Sequence, residues 1–276
     1  MKRLACLIVL LAPVAVAQDW MATSYVHTEV SPGIYLLTGA DGKMAGGNVG
    51  LLVGDEYVVL IDDGFTPTGP ALVEKIDELA GRPADFVVNT HVHGDHVGSN
   101  ATLAENGAIV FAHDNLRRRL VEKPTDAGGP AGIPVVTFAD QVTFHVNGHA
   151  AHVFHVATAH TDGDSVIHFR DQDVIHAGDL FFNYMFPFID LDSGGTVDGY
   201  IAGQRRIIDL AGDDTRIIPG HGPLADRNDL QVAVDTLETT ESASSGSQRL
   251  SQSTSNPLVS APVASRAAAD IGDASL

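Results

Sequence analysis

Thr90-His91-Val92-His93-Gly94-Asp95-His96 brings three imidazoles and one carboxylate into the six positions from His91 to His96. Any fold for this chain has to set that stretch where its donors can share a cation. Neutral imidazole and carboxylate are the ligands of zinc and neighbouring first-row metals. Chance is a poor explanation: with 13 His and 27 Asp in 276 residues, His-x-His-x-Asp-His arises at random roughly 0.003 times in such a chain. Phe86-Val87-Val88, just upstream, reads as a short buried strand. The donors therefore lie on a loop after a strand's C-terminal end, a usual place for sites in α/β folds.

The spacing also speaks to how many ions are held. His91 and His93, one residue apart, project to the same side of an extended loop. Asp95 and His96 are adjacent and point elsewhere. Four donors diverging from one loop serve two metals better than one. A catalytic metal takes about three protein ligands and keeps an open position, so two metals need donors from other segments. His160 opens the polar turn His160-Thr161-Asp162-Gly163-Asp164 after a strand. Asp179 follows His176-Ala177-Gly178 at a predicted strand end, and its carboxylate can bridge two cations. His221 lies between Gly220 and Gly222, whose backbone freedom lets the ring come close.

The rest of the chain alternates short β-branched runs with turns. Ile34–Leu37, Val49–Val53 and Tyr57–Ile61 read as strands, with Gly54-Asp55-Glu56 joining the last two. Thr66-Pro67 predicts a helix start, Leu72, Val73, Ile76 and Leu79 its apolar face, and Gly81 and Pro83 its end. Val142–Val146, Asn147-Gly148 and Ala150–Val156 form a hairpin pattern whose turn dipeptide suits type I′ geometry. Ser165–Phe169 and Asp173–His176 follow as strands, then a helix over Asp198–Leu210. A last strand, Thr215–Ile218, leads into Pro219-Gly220-His221-Gly222. Gly128-Gly129-Pro130-Ala131-Gly132 marks an exposed loop, a candidate neighbour of the site. Spacing alone gives an α/β or α+β fold with a layered core.

Both ends differ from this middle. Lys2 and Arg3, the apolar run Leu4–Val16 and Ala15-Val16-Ala17 predict a signal peptide over 1–17, too short to span a bilayer and stay there. Cleavage would remove Cys6, the single cysteine, and leave no thiolate ligand and no disulfide. Residues 18–240 then form one catalytic domain. From Ser242 to Ser255, seven of fourteen residues are serine, so 241–276 reads as a disordered Ser/Ala-rich tail. The formal net charge is −19. Such a balance repels nucleic acid phosphates and points away from a nuclease, towards a small-molecule substrate.

The loop at 91–96, the later His160, the pair Gly178-Asp179 and the terminal Pro219-Gly220-His221-Gly222 together resemble the metallo-β-lactamase superfamily. Ile61-Asp62-Asp63-Gly64 fits that family's early acidic turn. The resemblance runs from Val30 to Leu237 and implies a four-layer αββα sandwich with metals at one edge between two sheets. It implies that His91, His93 and His160 hold one zinc, that Asp95, His96 and His221 hold a second, and that Asp179 bridges them. Such a zinc pair lowers the pKa of a shared water to about 7, making a bridging hydroxide the nucleophile. The metals also stabilise the developing oxyanion, and Asp95 is the catalytic side chain that orients the hydroxide or carries its proton. Iron and manganese suit the same donors.

The family pattern divides the possible functions. Secreted β-lactamases of this superfamily carry Cys, or lack a ligand, where Asp179 stands, whereas a bridging Asp is the pattern of glyoxalase II and many other hydrolases. The expected function is an exported, periplasmic or secreted dizinc hydrolase, with β-lactam amides as the candidate substrate. The alternatives are a lactone, thioester or phosphate/sulfate ester hydrolase on the same scaffold, or a non-hydrolytic iron or metal-binding protein. The other eight histidines, His27, His113, His145, His149, His152, His155, His168 and His176, read as packing or surface residues. Phe65, Phe182, Tyr184, Met185 and Phe186 are candidates for an apolar wall beside the site.

Overall fold

The structure is a computed structural model that describes residues 21–254, with side chains as far as Ser242. The predicted signal peptide, and residues 255–276 of the predicted tail, lie outside the described residues. In chain order the strands are β1 (Tyr25–Ser31), β2 (Ile34–Gly39), β3 (Val49–Val53), β4 (Val58–Ile61), β5 (Phe86–Val88), β6 (Ile109–His113), β7 (Val136–Phe138), β8 (Gln141–Val146), β9 (His149–Val156), β10 (Asp164–Phe169), β11 (Val174–Phe182) and β12 (Arg216–His221). The α-helices are α1 (Gly69–Ala80), α2 (Gly94–Val97), α3 (Asn100–Glu105), α4 (Asp114–Glu122), α5 (Val197–Leu210) and α6 (Arg227–Thr254). Strands β1 to β7 form one sheet in sequential order, antiparallel as far as β4 and parallel from β4 to β7. The second sheet has the order β12-β11-β10-β9-β8 and is antiparallel except for the β11–β12 pair.

Side-chain alternation along the strands produces the layers. Val49, Leu51, Val58 and Leu60 face one core with Leu72 and Ile76 of α1 and Leu103 of α3. Their neighbours Leu52, Val59 and Ile61 face the opposite way, into a core shared with Phe144, Val153, Ile167, Phe169 and Val174 of the second sheet. Burying each such side chain contributes about 1.5–3 kcal/mol, so the core between the sheets holds the ligand-bearing edges together. On the far side of the second sheet lies α5. A Cβ on its Gly203 would stand 2.9 Å from Val156 and 3.2 Å from Leu180, and Tyr200 and Ile207 are wholly buried there. Helix, sheet, sheet, helix is the expected four-layer αββα sandwich.

The hairpin forms as its turn dipeptide requires, with Asn147 at φ 54° and Gly148 at φ 76°. The Asn147 side chain also accepts from the Tyr57 N–H at 2.9 Å and donates to the Tyr57 carbonyl at 2.8 Å. The hairpin tip of one sheet is thereby tied to the β3–β4 turn of the other. Helix α1 starts later than Thr66-Pro67 predicts. Residues 66–68 form a 3-10 turn because the buried Thr68 hydroxyl turns inward to Tyr25, Ala45 and Phe65. Pro70 occupies the first helical turn, and Gly81, at φ 68°, ends the helix as expected.

Two boundaries are corrected. The run Asp173–His176 predicts a strand ending before Asp179, but β11 continues to Phe182 with Asp179 inside it. Its pairing with β12 shifts register on both sides of Gly178, whose φ is 52°. A bulge of this kind re-aims a side chain, which explains how a carboxylate occupies a buried strand. Helix α6 runs past Glu238 to Thr254, into the Ser-rich stretch predicted to be disordered. Serine lowers helix propensity without forbidding it, and no proline interrupts the segment. Two compact units are distinguished, one ending at Thr236 and containing both sheets, the other beginning at Leu237.

Candidate metal centre

Strands β4, β5, β6 and β7 run parallel, so Asp62 and the His91–His96 loop leave the first sheet at the same edge. The second sheet brings His160 before β10, Asp179 within β11 and His221 at the end of β12. Two backbone bonds hold the edges together, Ser165 N–H to the Thr90 carbonyl at 2.8 Å and Asn48 N–H to the Gly220 carbonyl at 2.7 Å. Within the loop, His96 and Val97 N–H groups both donate to the His93 carbonyl. That closes the single turn α2 and swings Asp95 and His96 away from His91 and His93.

All seven predicted ligands converge, and they do so as two groups. His91, His93, His160 and Asp179 offer donor atoms to one point; Asp95, His96 and His221 offer theirs to another. Asp179 lies between them. Its Oδ2 is 3.5 Å from His91 Nε2 and 3.4 Å from His160 Nε2. Its Oδ1 is 3.1 Å from His96 Nε2 and 3.5 Å from His221 Nε2. Asp95 Oδ2 completes the second group, 3.3 Å from His221 Nε2.

Four of the five rings are aimed by a bond from the other nitrogen, the arrangement that fixes the tautomer of a metal-binding imidazole. His96 Nδ1 donates to Asp62 Oδ2 at 2.8 Å. His91 Nδ1 donates to Thr90 Oγ1, which in turn donates to the same Asp62 oxygen. His160 Nδ1 donates to the Phe188 carbonyl at 2.7 Å. His93 is oriented the other way round, Nε2 donating to Asp190 Oδ2 at 2.9 Å so that Nδ1 faces the cluster. Asn48 clamps the His221 loop by donating to the Pro219 and Gly222 carbonyls, both at 2.8 Å. A Cβ on Gly47 would stand 2.1 Å from the His96 ring, and one on Gly220 would stand 2.0 Å from Asp179 Oδ1. The predicted freedom around His221 is therefore partly a matter of space: Gly220 is needed because Asp179 comes so close.

The electrostatics call for positive charge. Burial opposes ionisation of Asp179, yet the surrounding imidazoles outweigh it and hold the carboxyl well below its usual range. Burial likewise opposes charge on His96, but Asp179, Asp62 and Asp95 raise that imidazole well above its usual range. The same competition leaves His221 raised to about 9. His91 and His160 go the other way: burial dominates and lowers them, His160 to about 4. His91 and His160 thus favour the neutral imidazole, and His96 and His221 hold protons where a cation would stand. His91 Nε2 and Asp179 Oδ1 are buried without a hydrogen-bond partner. Orphaned donor atoms of this kind, in an all-nitrogen and oxygen set, fit a divalent metal pair.

Several contributors were not singled out in the sequence. Asp190 and the Phe188 carbonyl sit in a loop whose only sequence signal is an acidic residue in an apolar run. Asn48 follows a Gly pair and carries no motif. The eight other histidines join neither metal group among the described residues. His113 and His155 stack on each other at 3.7 Å, and His176 is wholly buried, accepting from the Gly178 N–H. The predicted apolar wall is partly formed. Phe182 stacks on His221 at 5.0 Å, and Tyr184, Met185 and Phe186 are exposed beyond it. Phe65 is half-buried and bonded through its backbone to Ala45. Gly128–Gly132 packs behind the ligand loop, where a Cβ on Gly132 would meet Ala101 N and Asn100 Cβ.

Comparison with known proteins agrees with this geometry. A model of the metallo-beta-lactamase superfamily matches residues 43–221. The metallo-beta-lactamase type 2 of Bacillus cereus is 22% identical over 218 residues, covering 78% of this chain and 79% of that protein. The hydroxyacylglutathione hydrolase of Pelagibacter ubique is 30% identical over 99 residues, 36% of each chain. The solved metallo-beta-lactamase from Pontibacter korlensis superposes with a TM-score of 0.68 at 21% identity, covering 78% of this chain and 99% of that one. The match of motif, sandwich and converging ligands over most of its length means that this chain belongs to the metallo-β-lactamase superfamily.

Proposed function

We propose that the protein is an exported dizinc hydrolase that cleaves an acyl bond of a small-molecule substrate. The observation that carries this reading is the division of Asp179, one carboxylate oxygen turned to each ligand group. Bound as a pair, divalent metals lower the pKa of water to about 7 and polarise a carbonyl. The chain's own part is positional. Asp95 is the least enclosed carboxylate of the cluster and is held below its usual range: burial opposes this, and His96 and His221 overcome it. It is thus ionised at neutral pH, free to orient an attacking water and accept its proton. The buried His91, His96 and His160 exclude bulk water from the other side.

Relatives of two kinds support the reaction class, a metallo-beta-lactamase and a hydroxyacylglutathione hydrolase. β-Lactam amides are one candidate bond; lactones, esters and thioesters are the others, favoured by Asp179 in place of a thiolate. Export rests on the Lys2–Ala17 pattern. Metal analysis of zinc-reconstituted protein should give two equivalents, and Asp95→Ala should abolish turnover. The substrate panel is a cephalosporin, an acyl-homoserine lactone, a thioester and an aryl phosphodiester. Iron with a visible chromophore, or no hydrolysis of any carboxyl derivative, would reject the reading. Lactone or thioester cleavage without β-lactam opening would remove the β-lactam substrate alone. Fractionation of cells expressing the full chain tests export.

A further inference from the structure

Between β11 and α5 the chain exposes an apolar strip. Tyr184 is 82% exposed, Phe186 73%, Leu191 69% and Phe188 61%, with Met185 at 49%. Five large apolar side chains exposed within eight residues are the kind of surface that marks an interaction site. The strip is fixed to the metal centre at its inner end. The Phe188 carbonyl and the Asp190 carboxylate accept bonds from His160 and His93, and Asp190 N–H donates back to the His160 carbonyl. The Phe188 ring lies 5.8 Å from that of His93 and 6.1 Å from that of His160. The apolar segment is therefore anchored at Phe188 against the His93 and His160 rings, with the other exposed side chains flanking it in sequence.

Its charge is equally one-sided. Asp190 and Asp192 are the charged groups of the segment, and the Tyr184 hydroxyl donates to Asp229 Oδ1 at 3.4 Å. Arg119, the cation whose field includes Asp190, is tied to Asp162 by two bonds of 2.8 and 3.0 Å. Among the described residues, the guanidinium nearest this segment by its electrostatics, Arg119, is already committed, so the strip offers apolar contact rather than a cation for an anion. A second copy of the chain is a poor occupant, because each carries a formal charge of −19.

We propose that Tyr184–Leu191 is a specificity subsite for an uncharged alkyl or aryl arm attached to the scissile acyl group. The preferred substrates are then neutral lipophilic esters, lactones or amides. This rests on the hydrolytic reading for the bond that is cut, while the grip on the arm is a separate property of the strip.

Alkyl hydroxamates, whose head group seeks metal and whose tail reads the strip, separate the two. Titration calorimetry on zinc-loaded protein should show affinity rising about two- to fourfold for each methylene from acetohydroxamate to octanohydroxamate. Suberic monohydroxamate, the same chain ended by a carboxylate, should bind more weakly than octanohydroxamate by roughly tenfold or more, from a lost apolar contact with added charge repulsion. The Phe186→Ser/Phe188→Ser double variant should flatten the chain-length series. Equal affinity for short and long tails, or preference for the carboxylate tail, would overturn the subsite. Failure of acetohydroxamate to bind would instead count against the metal reading. The strip is then read in metal-stripped protein with a neutral octyl-tailed fluorophore, whose binding must be present in the parent chain and lost in the double variant. Sedimentation showing a dimer that buries the strip would also overturn the proposal.

Discussion

Asp62 and His96 are joined by a 2.8 Å hydrogen bond between two wholly buried side chains. Through Thr90 the same carboxylate also reaches His91, so one residue outside the ligand set orients a ring in each metal group. Asp62 stands at φ 59° immediately after β4, a conformation that costs an L-residue energy and is kept where the surroundings impose it. Asp62→Asn retains the shape and loses the anionic acceptor. Metal affinity should fall about 10- to 100-fold, the usual range for losing such an outer partner. A competitive chelator titration measures it; unchanged affinity would mean that packing alone aims His96.

Asp190 acts on one group only. Burial opposes its ionisation, but bonds from His93 and Ser193 prevail and hold it at about 2. Asp190→Asn should weaken the His91–His93–His160 metal while sparing the ion at Asp95, His96 and His221. Cobalt substitution followed by optical titration distinguishes the two events. Equal loss at both groups would show that the loop collapses rather than that one ring turns.

Gly220→Ala tests close approach. The new methyl would overlap Asp179 Oδ1 and the Gly178–Asp179 backbone, and overpacking of this kind costs about 1–3 kcal/mol. Urea unfolding of the metal-stripped variant should show that loss. On the proposed dizinc reading, the loaded variant should hold fewer than two ions, because Asp179, the carboxylate proposed to bridge them, is the group displaced.

His176 carries a pH dependence apart from the ligands. Burial depresses its imidazole to about 4, whereas the unfolded chain titrates it near its ordinary value. A depressed histidine contributes stability that is complete above the unfolded pKa and is lost as pH falls towards the folded one. Between about pH 6.5 and 4 the slope for one group is about 1.4 kcal/mol per pH unit. His176→Gln should remove that much of the slope in urea unfolding of the metal-free protein. Other titrating groups cancel in the difference between the two proteins, and parallel stability curves would refute the assignment.

The converging side chains were legible in the sequence because their chemistry is local. His91, His93, Asp95 and His96 announce themselves by spacing, and His160 and His221 by polar or glycine-rich turns after strands. The hairpin was legible because Asn147-Gly148 satisfies a backbone requirement that few dipeptides meet. Asp179 was identified, yet its strand was cut short. A glycine followed by an acid reads as a terminator unless the partner that stabilises the charge is known, and that partner lies in the other sheet. The roles of Asp62, Asp190 and Asn48 were hidden for the same reason: each depends on a contact across tens of residues, with no periodicity to betray it. In α6 the composition misled, since serine weakens a helix without ending it.

The bond between Asn147 and Tyr57 joins the sheets at the rim opposite the metal centre. With that rim latched, and the metal rim held by the Ser165–Thr90 and Asn48–Gly220 bonds, the part of the β11–α5 stretch that bears no such bond can vary without loosening the sandwich. Exchange of the exposed side chains Tyr184, Met185 and Phe186 for others of different size or polarity, with Phe188 and Asp190 retained, should therefore be absorbed as a change in clientele rather than in foldedness. An architecture fastened at both rims by a few local bonds is well suited to acquiring new chemistry by changes in the side chains between them.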